Sequence, residues 1–366
     1  MSAPTPRPGI MDIHAYVGGG SALPGRGRVI KLSSNEGALG PSPLAIEACR
    51  RVAEDIHLYP DGGCGPLRDG IARRFGLAAE RIVCGNGSDE LLSLLTHAYA
   101  GPGDEVLYSQ HGFLMYAIAA RAAGAVPVAA PEADLRADVD ALLDRVTART
   151  KILFLANPNN PTGSHLTREE LLRLRAGLPE DVLLVVDAAY AEYVSRNDYS
   201  PGVEMVDAGD NVVMTRTFSK LFALAGLRLG WAYCPPPVAD VLNRVRGPFN
   251  VTAPAQAAGL AALRDTEFAD ASRAHNDQVL PLVRDQLIAV GIDVPPSIGN
   301  FLLLRFPAEG PLDAAAANAF LNERGIIARQ MQAYGLPESL RMSIGGKDDM
   351  AYVVEALSEF MAGGGT

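Results

Sequence analysis

The chain has 366 residues, more than one ordinary domain uses, so two or three domains are expected. It carries 32 basic and 42 acidic residues, and its formal net charge of −10 argues against a nucleic-acid-binding protein, which is usually basic. With 48% hydrophobic and 20% charged residues, the composition is that of a globular rather than a disordered protein. Lysine is scarce, because the basic residues include only Lys31, Lys151, Lys220 and Lys347.

The cysteines and the apolar runs of the sequence indicate the cellular compartment in which the protein is expected. The four cysteines are far apart in sequence and form no CxxC pair, so neither a metal site nor a disulfide framework is expected. The first 30 residues lack the apolar stretch of a signal peptide, and runs such as 182–186 are too short for a membrane helix. We therefore expect a soluble cytoplasmic protein without nucleic-acid or membrane partners.

Short apolar strands alternate with helices in the middle of the chain. Strands are predicted at 81–84, 105–108, 126–129, 152–156, 182–187, 211–215 and 229–233, and helices at 90–99, 114–123, 139–145 and 168–175. This α/β alternation predicts a mostly parallel seven-stranded sheet between helices. Ligands of such sheets bind at the carboxyl ends of the strands, which is where we expect the chemistry.

The pattern changes near residue 252. Helices are predicted at 253–264 and 268–290, the second bent or interrupted at Pro281, and further elements are a strand at 301–306, a helix at 314–324, strands at 326–329 and 340–344 and a helix at 348–361. This pattern predicts a smaller α+β domain. We assign residues 1–30, rich in proline and glycine, to an N-terminal arm, residues 31–55 and 256–366 to the small domain, and residues 56–255 to the large domain.

The segment 84–90, with the sequence CGNGSDE, joins a predicted strand to a predicted helix. Gly85 and Gly87 allow a tight turn, and Ser88 or Asp89 can cap the helix that follows. A helix N-terminus with free N–H groups and a nearby hydroxyl is suited to a phosphate, although a plain capped turn is equally compatible with this segment alone.

Two further polar segments follow predicted strands. The segment 156–163, ANPNNPTG, is a rigid turn that would hold the Asn160 amide ready to donate to a ligand oxygen. Asp187 comes directly after five apolar residues, with Tyr190 three positions on, and a carboxylate in that setting is costly unless it is paired or functional. A bare turn and a helix N-cap are the structural alternatives for these two segments.

Lys220 ends the segment 217–220, TFSK, and Arg228 follows eight residues later. Burial among the neighbouring phenylalanines and leucines would lower the pKa of this amine and favour its neutral, nucleophilic form. Schiff-base formation with a carbonyl cofactor requires that form, whereas the alternative is an exposed helical lysine.

Taken together, these segments offer a phosphate-binding turn, an oxygen donor, a carboxylate for a ring nitrogen, a nucleophilic lysine and a second phosphate-binding residue, Arg228. Pyridoxal 5′-phosphate needs this set of contacts. On these motifs the chain resembles the fold-type I pyridoxal-phosphate aminotransferases over nearly its whole length. Among them it is most similar to the histidinol-phosphate aminotransferase family, on 58–61 (LYPD), 35–36 (NE), 158–163 (PNNPTG), 219–220 (SK) and the ending 329–345.

The resemblance implies roles for the residues around the cofactor. Lys220 would form the Schiff base and then move a proton, Asp187 would keep the pyridine nitrogen protonated, and Asn160 and Tyr190 would hold the phenolic oxygen of the ring. Phe113, within 111–116 (HGFLMY), would stack on the ring. The phosphate would be surrounded by Gly87, Ser88, Asp89, Thr217, Ser219 and Arg228. Tyr59 would reach the phosphate of a neighbouring subunit, which implies a homodimer with shared sites.

The resemblance also implies a substrate-binding set, consisting of Tyr16, Asn35, Arg329 and Arg341. The two arginines would clamp the anionic group, and a guanidinium binds phosphate and carboxylate equally well. The implied activity is transfer of the amino group of L-histidinol phosphate to 2-oxoglutarate, in histidine biosynthesis. The alternatives are an aromatic amino-acid aminotransferase, a threonine-phosphate decarboxylase, and a non-catalytic pyridoxal-phosphate-binding regulator.

Overall fold

The computed structural model describes residues 4–25 and 29–363. Residues 1–3 and 26–28 of the predicted arm, and residues 364–366 of the predicted small domain, lie outside the described residues. The domain boundaries at residues 30, 55 and 255 stay predictions. In the part of the chain that the structure describes, no helix is both long and apolar enough to cross a membrane.

One large mixed sheet organises the fold. The strands of the described residues are β1 (Ile30–Lys31), β2 (Ile82–Gly85), β3 (Glu105–Ser109), β4 (Val126–Ala130), β5 (Glu132–Ala133), β6 (Arg136–Ala137), β7 (Thr150–Ala156), β8 (Leu183–Asp187), β9 (Val212–Thr217), β10 (Gly230–Tyr233), β11 (Phe301–Arg305), β12 (Ile326–Ile327), β13 (Arg329–Gln330) and β14 (Ser339–Ser343). Seven of them form a sheet in the order β2-β10-β9-β8-β7-β3-β4. Only β10 in this sheet runs antiparallel to its neighbours. The predicted mostly parallel seven-stranded sheet is confirmed.

Helices cover both faces of this sheet. The α-helices of the described residues are α1 (Pro43–Val52), α2 (Gly65–Phe75), α3 (Ser88–Tyr99), α4 (Met115–Ala123), α5 (Val139–Asp144), α6 (Arg168–Gly177), α7 (Val203–Ala208), α8 (Pro236–Val245), α9 (Ala253–Arg264), α10 (Thr266–Ala289), α11 (Ala314–Glu323) and α12 (Lys347–Met361). Along β8, Leu184 and Val186 belong to one core cluster and Leu183 and Val185 to another. Because successive side chains of a strand point to opposite faces, this sheet is buried on both sides.

A second layer is built from the C-terminal part of the chain and β1. Strands β11, β14 and β13 form an antiparallel sheet, β1 pairs with β12 in parallel, and α10, α11 and α12 contribute to the core that these strands share. The helix α10 continues through Pro281 without the interruption that the sequence allowed.

The single strand predicted at 326–329 is wrong, because the chain changes sheets at Ala328. Ile326 and Ile327 are buried and pair with β1, whereas Arg329 pairs with β14 and lines a cavity. The physical reason is that Ile326 packs into an apolar core, whereas the Arg329 guanidinium needs polar partners and finds one at the cavity, in the Val17 carbonyl. This switch puts Arg329 directly opposite Arg341.

Candidate active site

A cavity of about 280 Å³ lies where β7, β8 and β9 end. The carboxyl ends of parallel strands are the expected position of a ligand in such a sheet. All the site residues predicted from the sequence line this cavity except Gly87 and Tyr59. Those that do are Tyr16, Asn35, Ser88, Asp89, Phe113, Asn160, Asp187, Tyr190, Thr217, Ser219, Lys220, Arg228, Arg329 and Arg341. The fold therefore collects residues from both ends of the chain around the ends of three central strands.

The turn before α3 forms one end of the cavity. Gly87 has a left-handed φ of 84°, and a Cβ added to it would collide with the Arg228 guanidinium. Arg228, itself at a φ of 51°, donates from Nη2 to Asp89 Oδ2 at 2.8 Å, and its Nη1 lies 3.5 Å from Ser219 Oγ. An arginine thus faces the N-terminus of α3, which begins at Ser88. A helix N-terminus beside a guanidinium has the donors that a phosphate needs.

Lys220 lies just after β9, with its amine inside the cavity. Nζ donates to the carbonyl oxygen of Ser34 at 3.2 Å and lies 5.6 Å from the centroid of the Tyr190 ring. Burial and, after it, the positive charge of Arg341 lower the pKa of Lys220 to about 8. A substantial fraction of this amine is therefore neutral near pH 8, as a nucleophile or a proton acceptor must be.

Asp187 ends β8 on the floor of the cavity. Its Oδ2 accepts a hydrogen bond from Tyr116 Oη at 2.9 Å, and its Oδ1 accepts one from Thr215 Oγ1 at 3.1 Å. Burial raises the pKa of Asp187 to about 6, and the two hydrogen bonds oppose that rise. A protonated nitrogen placed against this carboxylate would restore its charged form.

Tyr190, Asn35 and Asn160 form a third group of polar side chains. Asn35 Nδ2 donates to Tyr190 Oη at 2.8 Å, and the Asn35 backbone, left-handed at a φ of 57°, donates to Ser343 Oγ at 2.7 Å. Asn160 Oδ1 accepts a hydrogen bond from Arg341 Nη1. The Asn160 amide nitrogen has no hydrogen-bond partner among the described residues and remains free to donate into the cavity.

Arg341 and Arg329 also line the cavity. Arg341 Nη2 donates to the carbonyl oxygen of Ser33 at 3.0 Å, and its buried Nε has no hydrogen-bond partner in the described part of the chain. Burial lowers the pKa of Arg341. Arg329 Nη2 donates to the carbonyl oxygen of Val17 at 2.8 Å, and its guanidinium lies 5.4 Å from the centre of the Tyr16 ring. These contacts attach the N-terminal arm to the cavity wall at Arg329.

Tyr59 lies outside the cavity. Its side chain is 82% exposed, and its ring stacks on Phe249 with centroids 4.6 Å apart. The described residues of this chain therefore leave Tyr59 available to a second subunit. Phe113, by contrast, lines the cavity and packs edge-to-face against Tyr116 with centroids 6.0 Å apart.

Among the residues of this site that sequence reasoning missed, three have charged or hydrogen-bonding side chains that bear on its chemistry. Tyr116 and Thr215 hold Asp187, and Glu36 lines the cavity. Thr215 pairs with Asp187 in the register of β8 and β9, so alignment of the two predicted strand ends could have found it. Tyr116 and Glu36 belong to the segments 111–116 and 35–36, which the sequence analysis had singled out, but the local sequence gives no sign of the roles of these two residues.

Comparisons with known proteins agree on one family. A family model described as aminotransferase class I and II matches residues 27–357. The chain is 64% identical over 361 residues to the histidinol-phosphate aminotransferase of Paramagnetospirillum magneticum, covering 99% of both chains, and 60% identical to that of Rhodospirillum centenum, covering 99% of this chain and 100% of the relative. It also resembles the crystal structure of histidinol-phosphate aminotransferase from Sinorhizobium meliloti in complex with pyridoxal-5′-phosphate, with a TM-score of 0.87, 28% identity and 99% of each chain covered.

Proposed function

This chain belongs to the class I and II aminotransferases, and within them to the histidinol-phosphate aminotransferase family, and on that premise we propose that it transfers the amino group of L-histidinol phosphate to 2-oxoglutarate. The products would be imidazole-acetol phosphate and L-glutamate, in a step of histidine biosynthesis. The enzyme is a transaminase that depends on pyridoxal phosphate.

The cavity residues fit pyridoxal phosphate. The collision that a Cβ on Gly87 would make with Arg228 shows that the turn before α3 holds this guanidinium close, beside Ser88 and Ser219. We propose that these groups, with Asp89 and Thr217, bind the phosphate. Phe113 would cover one face of the ring, and Asn160 and Tyr190 would hold its phenolic oxygen. When bound, the cofactor supplies a carbonyl for the amino group and a ring that accepts the electrons released at Cα.

Lys220 is the proposed catalytic residue. Its amine would hold the carbonyl carbon of the cofactor and, once released by substrate, would take the proton from the substrate Cα. Both tasks need a neutral amine, and the pKa of about 8 that burial gives Lys220 supplies it near neutral pH. The hydrogen bond to the Ser34 carbonyl keeps Nζ on the cavity side.

Asp187 would hold a proton on the pyridine nitrogen. The two hydrogen bonds from Tyr116 and Thr215 fix the carboxylate in one orientation, and its burial strengthens attraction to a cationic N–H group. A protonated ring nitrogen is what makes the ring an effective electron acceptor.

The observation that carries the substrate assignment is the anion clamp. Arg341 and Arg329 lie opposite each other in the cavity wall, and Arg341 has a buried Nε that no group among the described residues satisfies. An anionic group of the substrate would supply that acceptor, with Tyr16 and Asn35 beside it. The phosphate of histidinol phosphate and the carboxylate of glutamate both suit such a pair.

We further propose a cytoplasmic homodimer. Tyr59, exposed on its own subunit, would reach the cofactor phosphate of the neighbouring one. All four cysteines are free thiols, which fits a reducing compartment.

Steady-state kinetics with histidinol phosphate, phenylalanine and tyrosine as competing donors test the substrate. We expect kcat/KM to be highest for histidinol phosphate. A higher kcat/KM for phenylalanine would instead support an aromatic amino-acid aminotransferase, in which Arg341 would bind an α-carboxylate.

A further inference from the structure

Glu36 brings an acidic group into the cavity that the proposed mechanism does not use. Its Oε1 forms an ion pair with Lys31, while its Oε2 is buried and has no hydrogen-bond partner among the described residues. The backbone at this point is fixed, because the buried Asn300 donates from Nδ2 to the carbonyl oxygens of Asn35 and Glu36 at 3.2 and 3.1 Å. An acceptor atom is therefore held in the cavity wall with its bonding capacity unfilled.

The other two carboxylates that line the described cavity, those of Asp187 and Asp89, accept hydrogen bonds from protein side chains. Asp187 accepts from Tyr116 and Thr215, and Asp89 accepts from Arg228. Glu36 differs from both because it has a buried oxygen that no donor among the described residues satisfies. Burying such an oxygen without a donor is costly, so the position fits a ligand that brings the donor with it.

Two cavity-lining side chains contain a buried polar atom that no described residue satisfies, and the two atoms are of opposite kind. Arg341 Nε is a donor and Glu36 Oε2 is an acceptor. A ligand that satisfies both atoms must bring an acceptor for Arg341 and a donor for Glu36. Histidinol phosphate has this pattern, with a phosphate and an imidazole ring, whereas phenylalanine has a carboxylate and a ring without N–H.

Glu36 also lines the same cavity as Lys220. Its negative charge is among the influences that act on the pKa of Lys220, in the direction opposite to burial. Gly37 packs against the backbone of Lys220, where an added Cβ would lie 3.0 Å from its carbonyl oxygen. The segment that carries Glu36 is therefore packed onto the catalytic lysine.

We propose that Glu36 determines specificity by accepting a hydrogen bond from the imidazole N–H of the amino donor, an inference that rests on the proposed function. A phenyl ring in the same place would leave Oε2 desolvated and unpaired. Sites built to bind a polar group reject an analogue that lacks it more strongly than apolar pockets reject a change of size. Glutamate carries no ring, so its own half-reaction does not use this contact.

The test compares two ligands that differ only in their ring. The compounds 3-(imidazol-4-yl)propyl phosphate and 3-phenylpropyl phosphate keep the three-carbon chain of histidinol phosphate but carry no amino group, so their binding to the pyridoxal-phosphate-loaded enzyme can be measured by calorimetry without turnover. The wild type should prefer the imidazole compound. In Glu36→Met the preference should fall about tenfold to a hundredfold, the scale of a charge-assisted hydrogen bond. Glu36→Gln, which keeps a neutral acceptor, should fall in between.

Lys31→Met is the matched control, because it breaks the ion pair of Glu36 but keeps the carboxylate. If Glu36 contacts the ring, this variant retains the preference for imidazole. An equal loss in Lys31→Met and Glu36→Met would overturn the inference, because the ion pair would then be responsible. So would an unchanged preference in both Glu36 variants.

Failure of the inference and failure of the proposed function have different signatures. A wild type that transaminates histidinol phosphate efficiently, with Glu36 variants of unaltered ring preference, contradicts only the role of Glu36. A wild type that uses phenylalanine faster than histidinol phosphate contradicts the proposed function. It also removes the imidazole contact on which the inference rests.

Discussion

Arg329 and Arg341 lie directly opposite each other on the neighbouring antiparallel strands β13 and β14. Like charges in this relation destabilise a sheet, so the arrangement requires a compensating anion or partner. Arg341 reaches Asn160 and the Ser33 carbonyl, and Arg329 reaches the Val17 carbonyl, but none of these groups is negatively charged. A substrate anion is the compensation that the proposed function supplies.

Arg341→Ala should therefore weaken use of anionic substrates. Losing a charge-assisted hydrogen bond costs about 2 to 3 kcal/mol, which is about a 30- to 150-fold fall in kcat/KM for histidinol phosphate. Arg305→Ala is a suitable control, because Arg305 lies on β11 of the same sheet but does not line the cavity. It forms an ion pair with Asp293, with 2.9 Å between Nη1 and Oδ2. Equal kinetics for Arg341→Ala and wild type would exclude this arginine from the site.

Lys220→Ala should lower kcat by about a thousandfold or more, because no other amine lines the described cavity to move the proton. The variant should also lose the visible absorption band that pyridoxal phosphate has when bound to a lysine. Lys151→Ala, which removes a lysine paired with Asp181 at 3.3 Å, should keep both the kcat and the absorption band of the wild type. Retention of transamination by Lys220→Ala would refute its catalytic role.

The pKa of Lys220 predicts a pH dependence for cofactor uptake. The rate at which the apoprotein recaptures pyridoxal phosphate should rise with pH with a midpoint near 8, since the neutral amine reacts. In Arg341→Ala the midpoint should move upwards, because the charge of Arg341 lowers the pKa of Lys220. Stopped-flow absorbance measures both, and an identical midpoint in the two proteins would contradict this coupling.

The raised pKa of Asp187 predicts a cost to the stability of the apoprotein. Between the ordinary value of 3.8 and about 6, the folded state binds a proton that the unfolded state has released, so stability falls as pH rises through this window. Asp187→Asn removes that cost, and its free energy of unfolding above pH 7 should exceed that of the wild type by up to about 3 kcal/mol. The difference should shrink towards pH 4.

Urea denaturation of both apoproteins at several pH values measures this difference. The same variant should bind pyridoxal phosphate more weakly, because an amide does not stabilise a protonated ring nitrogen. Opposite effects on apoprotein stability and cofactor affinity are therefore expected. A variant that is less stable than the wild type at pH 8 would argue against a desolvated carboxylate.

Tyr59→Phe tests the shared site. The variant should remain dimeric in sedimentation experiments but lose roughly tenfold in affinity for pyridoxal phosphate, the value of one hydrogen bond to a charged group. Tyr352→Phe, another exposed tyrosine, should have no effect. A monomeric wild-type enzyme with full activity would refute the proposal of shared sites.

Local sequence was enough to predict most of the central sheet. The strands β7, β8 and β9 each contain an apolar run, at 152–156, 183–186 and 212–214, and each predicted strand of the large sheet lies within two residues of its observed bounds. The site motifs could also be predicted, since Asp187 ends β8 and Lys220 follows β9 by three positions. The prediction of a single strand at 326–329 failed because its two halves pair with different strands, β1 and β14. The local sequence pattern does not show which strand each residue pairs with.

The scarcity of lysine and the order of the motifs were enough to predict, from sequence alone, a pyridoxal-phosphate enzyme with Lys220 as its reacting amine. Only the tertiary structure decided which side chains meet it. The hydrogen bonds from Tyr116 to Asp187 and from Asn35 to Tyr190, and the unsatisfied oxygen of Glu36, join segments far apart in the chain. The physical reason is that strand patterns and turns are encoded by neighbouring residues, whereas burial, pKa and unfilled hydrogen bonds depend on what packing brings alongside.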